Sequence, residues 1–165
     1  MVNEEIFLNL VLVRQIQPAF RMLRNIVDTC PKALWAQKNI DPPIWQQVYH
    51  ALYGADYWFS KDKSSFVTPK FDAEVNSVLG EESKGFIDKN AMVGYLEYVE
   101  NKVISFLDQL DEDGLTKPSP LYNKWTNLDV VLEQLRHLQH HVGYLNRVIL
   151  KCKLKPIEWE FFDVE

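Results

Sequence analysis

Apolar residues recur every three or four positions along four long stretches of the chain, which is the spacing of one buried helix face. This pattern predicts α-helices over about residues 3–28, 43–60, 88–110 and 126–151. No stretch alternates with the period of two that marks a half-buried strand, and no internal repeat is visible. The sequence therefore predicts an all-α fold, an antiparallel four-helix bundle.

The first predicted helix carries signals at both ends and one in its middle. Asn3 is a suitable N-cap, with Glu4 and Glu5 placed to meet the positive end of the helix. Pro18 lies inside the helix and predicts a kink or a local break. Pro31 predicts its end, because a residue that precedes proline avoids the helical conformation.

The later helices have their own boundary signals. Asp41 can cap the second helix, and Pro42 fits its first turn, where the missing N–H costs nothing. The acidic, glycine-bearing segment Asp111–Gly114 is expected to stop the third helix. Thr126 or Asn127 is expected to cap the fourth.

The connections between helices are unequal in length. Residues 61–87 form a long, mixed connection with a short helix expected over Asp72–Leu79, and a long connection favours a crossover bundle. A second connection covers 115–125. The tail over 156–165 is expected to pack across the bundle with its aromatic residues, and the whole chain, 1–165, is expected to form one domain. The aromatic residues of this tail are Trp159, Phe161 and Phe162.

Composition excludes several classes of function. The net charge of −5 and the absence of a basic stripe argue against nucleic acid as a partner. The longest apolar run, around residues 6–13, is too short to span a membrane. Cys30 and Cys152 are far apart and form no CxxC pair, so we expect reduced thiols in a cytoplasmic protein.

Three of the four histidines fall within five residues of the fourth helix. His137 and His141 are four positions apart and can direct both imidazoles at one point, as a helix does when it presents two nitrogen ligands to a metal. At about 100° per residue, His141 lies roughly 80° and His137 roughly 120° from the centre of the apolar stripe. His140 lies almost opposite that stripe and is expected to face solvent. Histidines at the edge of an apolar face show the same spacing without a metal.

His50 is the remaining histidine and lies midway along the second helix. It shares a semi-polar, aromatic face with Gln46, Tyr53 and Tyr57, away from the apolar stripe. Such a face suits the wall of a pocket, and it equally suits a solvent-exposed surface with tyrosines. Spacing alone does not choose between the two.

Two segments resemble the DinB/YfiT-like metalloenzyme family. Residues 43–57, PIWQQVYHALYGADY, are similar to its second helix with one ligand histidine, and residues 136–146, RHLQHHVGYLN, to its HxxHHxGQ-type fourth helix. Helix order, helix lengths and the long second connection also agree. Tyr144 departs from the family pattern, in which Gln often follows the glycine.

The resemblance implies a bundle with one long crossover and a divalent metal, nickel, zinc or iron, bound by His50, His137 and His141. It also implies chemistry related to that of thiol-dependent transferases and isomerases that use mycothiol, bacillithiol or glutathione. Three imidazoles leave open coordination positions, as in catalytic sites. A metal-dependent thiol S-transferase or a hydrolase is therefore expected, with a small-molecule or thiol cosubstrate as partner. The alternative is a non-catalytic interaction module, with a homodimer as one form.

Helix-face positions suggest residues that could support the metal ligands. Glu133 lies one turn before His137 and could orient it, and Tyr144 lies about one turn after His141. Tyr53 and Tyr57 could donate hydrogen bonds to a bound ligand. Each has an ordinary interpretation, since glutamates on helices are commonly solvated and tyrosines commonly lie at core edges. Asp56, near the apolar stripe, is expected to have a hydrogen-bond partner and no catalytic role.

Overall fold

Four long helices and two short ones make up the protein in a computed structural model that describes residues 7–37, 39–40 and 42–162. They are α1 (Leu8–Thr29), α2 (Lys32–Trp35), α3 (Ile44–Trp58), α4 (Lys89–Asp108), α5 (Glu112–Thr116) and α6 (Asn127–Lys151). The all-α bundle predicted from the sequence is confirmed. Within these residues, no helix has the combination of length and hydrophobicity needed to cross a membrane.

The long helices form a bundle in which α1 packs on α4 and α6, and α3 packs on the same two helices. α3 and α6 run antiparallel, since Gln47 contacts His141 and Trp58 stacks on Trp125. α3 and α4 run parallel, since Tyr49 packs near Tyr95 and Phe59 near Phe106, and the connection 59–88 therefore crosses back along the bundle. The predicted long crossover is confirmed.

Capping explains where two of the long helices begin. The Asp88 carboxylate accepts from the amides of Asn90 and Ala91 at the start of α4. Thr126 and Asp129 form a reciprocal capping box at the start of α6. Thr126, rather than Asn127, is therefore the cap.

The predicted start of the first helix cannot be compared with the structure, and the start of the second differs by one residue. α1 is described from Leu8, so the proposed cap at Asn3 lies outside the described residues, as does Asp41. Pro43 is the N-cap of α3, and Pro42 therefore precedes the helix instead of filling its first turn. α1 continues through Pro18 without a break.

One local prediction was wrong, and two short helices were not expected. No helix forms over residues 72–79, because two amides that it needs are bonded to side chains: Asn76 N–H donates to the Ser83 hydroxyl and Val78 N–H to the Asn76 side chain. The third predicted helix ends at Asp108, close to the expected stop, and Asp111 then caps a further short helix, α5, accepting from Gly114 N at 2.7 Å. The short helix α2 was not expected; it buries Trp35, whose indole donates to the Ile87 carbonyl.

The tail packs on the bundle through its polar groups and Ile157 rather than through its large aromatic rings. Asn146 exchanges two hydrogen bonds with the backbone of Ile157, and Glu160 accepts from Asn25 on α1. The tail thus packs across the bundle as expected, but two of its aromatic rings face solvent: Trp159 is 64% exposed and Phe161 75% exposed. Polar pairing with α1 and α6 sets the course of the tail.

A buried ion pair fixes α3 against α4. The Asp56 side chain is 3% exposed and accepts from Lys102 Nζ at 2.6 Å and from the Tyr95 hydroxyl at 2.9 Å. Lys102 also donates to the Ser60 hydroxyl and to the Asp56 carbonyl. Burial, and then the nearby Asp56 charge, raise the pKa of Tyr95. Asp56 has the partners expected of it, and its contacts are structural.

Replacing Lys102 with Met should lower the free energy of unfolding by about 3 kcal/mol, because the Asp56 carboxylate stays buried without its counter-ion. Urea denaturation measures the change, and Lys124→Met, at an exposed lysine, is the control. A loss below about 1 kcal/mol would contradict this account of the pair.

Candidate metal centre

The three histidines predicted as ligands come together between α3 and α6. His50 lies in the middle of α3, and His137 and His141 lie one turn apart on α6. The ring centroid of His50 is 5.2 Å from that of His137 and 4.9 Å from that of His141. His141 is 3% exposed and the other two are half-buried, whereas His140 is exposed, as its helix position predicts.

The separations between ring nitrogens fit a single metal ion. His137 Nε2 lies 3.3 Å from His50 Nε2 and 3.0 Å from His141 Nε2. One potential ligand atom from each ring lies within 4.8 Å of the other two. Two imidazole nitrogens, each about 2.0–2.1 Å from one ion, are about 2.8–3.0 Å apart at octahedral angles and about 3.3–3.4 Å apart at tetrahedral angles. The side chains need little movement to coordinate.

Two of the rings are held by hydrogen bonds at their other nitrogen. His50 Nδ1 lies 2.9 Å from the Ser77 carbonyl oxygen, and His141 Nδ1 lies 2.8 Å from Gln47 Oε1. Both oxygens accept, so each Nδ1 carries the proton and donates it. A neutral imidazole has one N–H, and Nε2 of both rings therefore presents its lone pair to the centre. This is the tautomer that a metal ligand needs.

The arrangement of lone pairs favours a cation at this point. Only His137 Nε2 could carry a proton between the rings, and it could donate that proton to one neighbour at a time. The third nitrogen would then keep its lone pair without a hydrogen-bond donor at the centre. A divalent cation would satisfy all three nitrogens together.

Burial also favours the neutral imidazoles that bind metals. Burial, and secondarily the neighbouring imidazoles of His137 and His50, lower the pKa of His141 from its ordinary value to about 3. Burial and then His50 lower the pKa of His137 to about 4, against a smaller opposing effect of Glu133. Both rings are neutral at pH 7 and need lose no proton to bind a metal.

The crossover connection is fastened beside His50. Gln46, expected on the semi-polar face, is 2% exposed, and its amide nitrogen lies within 3.1 Å of the carbonyl oxygens of Asn76, Val78 and Glu81. Ser77, whose carbonyl meets His50, lies in the same segment. Gln46 thus anchors the segment whose Ser77 carbonyl binds the His50 ring.

His137 is seated differently from the other two rings. Its Nδ1 is buried and makes no hydrogen bond, and the buried Oε1 of Gln134 makes none either. Gly54 of α3 faces this ring so closely that a Cβ there would lie 2.9 Å from His137 Cε1. The absence of a side chain at Gly54 lets α3 and α6 approach at the centre.

Among the predicted supporting residues Glu133 is engaged elsewhere, and the roles of the three tyrosines stay predictions. The Glu133 carboxylate pairs with Arg136 at 3.0 Å and does not hydrogen-bond His137 Nδ1. Tyr53 and Tyr57 both pack edge-on against Phe66 of the crossover, which matches the ordinary interpretation of core-edge tyrosines. Tyr144 lies on α6 with 37% of its surface exposed.

Sequence reasoning missed Gln47, Ser77, Gln134 and Gly54. Gln47 lies three positions before His50 and therefore on a neighbouring part of the same helix, which was a usable signal. Gln134 lies three positions before His137 and offered the same signal. Ser77 contributes a backbone carbonyl, which no side-chain pattern reveals.

The metal-free protein should lose stability as pH falls from about 6.5 to about 4, measured by urea denaturation with a chelator present. In that window the unfolded chain takes up protons at His137 and His141, and the folded chain, with pKa values near 4 and 3, does not. The free energy of unfolding therefore decreases with decreasing pH. The double variant His137→Asn/His141→Asn should flatten this dependence between pH 6.5 and 5.

His140→Asn removes an exposed histidine of the same helix and is the control, expected to keep the wild-type dependence. Equal slopes for the wild type and the double variant would show that these rings are not buried in their neutral form.

Comparison with known proteins gives one family. The model of the DinB superfamily matches residues 15–145, which include all three histidines of the centre. Neither the curated proteins nor the solved structures gave a significant match. The family match covers well over half of the 165 residues and agrees with the resemblance seen in two helices. The chain belongs to the DinB superfamily.

Proposed function

We propose that the protein is a metal-dependent enzyme in which His50, His137 and His141 hold one divalent cation. The observation that carries the proposal is the convergence of three Nε2 atoms, two of them separated from the third by 3.3 and 3.0 Å. Ser77 and Gln47 support it by fixing two rings in the required tautomer.

The donor set narrows the choice of metal. Three imidazole nitrogens without a carboxylate suit nickel, zinc or iron, whereas magnesium and calcium prefer oxygen ligands. Three protein ligands also leave coordination positions for substrate. Such an ion supplies Lewis acidity, which polarises a substrate oxygen or lowers the pKa of a thiol or water.

We propose that a thiol, if one is used, comes from a cosubstrate. Cys30 is buried, and its pKa is raised to about 11 chiefly by burial, so it is a poor nucleophile. Cys152 is the C-cap of α6, about 16 Å beyond His141 by helical rise. A thiol S-transferase that uses bacillithiol, mycothiol or glutathione, or a hydrolase, is consistent with this arrangement.

Charged groups beside the centre suggest how a cosubstrate is held. Arg136 immediately precedes His137, and its side chain is 77% exposed while paired with Glu133. An exposed pair of this kind is weak and exchanges readily for another anion. In this proposal the guanidinium accepts a carboxylate of the cosubstrate in place of Glu133.

Purified untagged protein, stripped and offered nickel or zinc, should bind about one equivalent by elemental analysis. His137→Ala should weaken binding by more than about 100-fold, because removing a ligand costs more than disturbing its support. His140→Ala is the matched control and should keep the metal. Equal binding by wild type and His137→Ala would exclude this centre.

Turnover of a thiol cosubstrate with a generic electrophile, or hydrolysis of an activated ester, should require the metal and be abolished by His50→Ala. Activity that survives this substitution would contradict metal catalysis at the centre. A tightly bound metal with neither activity would favour the non-catalytic interaction module.

A further inference from the structure

We infer that Gln134 is the positioning residue for His137, with its carboxamide oxygen accepting the Nδ1 proton of that ring when a metal is bound at Nε2. The inference rests on the proposed metal site and adds a residue to it. It starts from an asymmetry among the three rings. His50 and His141 each donate Nδ1–H to an oxygen, and His137 does not.

The missing partner lies on the same helix. Gln134 is one turn before His137 on α6, and residues three apart on a helix are neighbours. It is 3% exposed, and its Oε1 is buried without a hydrogen bond. His137 Nδ1, which can donate when protonated, and Gln134 Oε1, which can accept, are thus both buried and unpaired on adjacent turns of α6.

Gly54 shows that the two atoms share one small space. A Cβ built on Gly54 would lie 3.2 Å from His137 Nδ1 and 3.5 Å from Gln134 Oε1. Both atoms border the same point, and the pairing that we infer requires the Gln134 side chain to rotate its oxygen toward the ring. A larger residue at Gly54 would push against the ring instead.

Metal binding makes this pairing necessary. With Nε2 bound to a metal, the proton of neutral His137 must be on Nδ1, and a buried N–H needs an acceptor. Without a metal the proton can be on Nε2, between the rings, and Nδ1 then needs no acceptor. The unpaired arrangement of Gln134 and His137 suits this second state.

Glu133 is the other residue one turn away that could accept the Nδ1 proton of His137, and it is less suited to do so. The Glu133 side chain is 40% exposed and already paired with Arg136. His137 Nδ1, in contrast, is shielded from solvent. The buried carboxamide therefore matches the buried nitrogen.

Competition with a chromophoric chelator, using zinc or nickel alone as the probe, tests the inference. Gln134→Met keeps the size of the side chain and removes the acceptor, and should weaken metal binding about 10- to 100-fold. Gln134→Glu restores an acceptor and should bind at least as tightly as the wild type. Gln139→Met, the same substitution at a half-buried glutamine of α6, should change affinity less than about twofold.

Stability of the metal-free variants separates positioning from a general structural role. Gln134→Met removes an unsatisfied buried acceptor and should leave the urea midpoint of the metal-free protein unchanged or higher. A lower midpoint together with an equally weakened Gln134→Glu would mean that Gln134 serves packing, and would overturn the inference.

Nitrogen NMR of the zinc-loaded protein adds a readout other than affinity. The His137 Nδ1 proton should be present and protected from exchange, and should become exchangeable in Gln134→Met. Wild-type protein that binds one zinc while Gln134→Met binds it equally well overturns this inference alone. Wild-type protein that binds no metal overturns the proposed function.

Discussion

The antiparallel packing of α3 on α6 is the contact on which the site depends. It brings His50 to two histidines that lie 87 or more positions further along the chain. The register of the two helices is held at both sides of the centre, by the Gln47–His141 hydrogen bond and by the stacking of Trp58 on Trp125 at 5.0 Å. A slip of one residue would turn His50 by about 100° away from the other rings.

The crossover connection contributes to the site because it supplies the hydrogen-bond acceptor for His50 Nδ1. Since α3 and α4 run parallel, the chain between them must return along the bundle, and this path places the Ser77 carbonyl on the ring. The ion pair of Asp56 with Lys102 holds α3 to α4 on the opposite side. α3 is thus fixed by α6, by α4 and by the loop, and the imidazole it carries has little freedom.

The sequence predicts the helices well and the centre only in part. Period and capping groups, such as Thr126, are local signals, and they place the four long helices within a few residues. The meeting of His50 with the other histidines depends on long-range register, which no local pattern contains. The helix expected over 72–79 needs backbone amides that are bonded elsewhere, since Asn76 N–H donates to the Ser83 hydroxyl and Val78 N–H to the Asn76 side chain. The Glu133 carboxylate pairs with Arg136 instead of His137. Side-chain competition of this kind is decided only in the folded chain.

X-ray absorption spectroscopy of the protein loaded with one equivalent of zinc or nickel tests the central claim most directly. Three convergent imidazoles predict three nitrogen ligands with the multiple-scattering signature of histidine, at about 2.0–2.1 Å for zinc. One imidazole or none in the coordination shell, with the rest of the ligands oxygen or sulfur, would contradict the account and place the metal elsewhere in the protein.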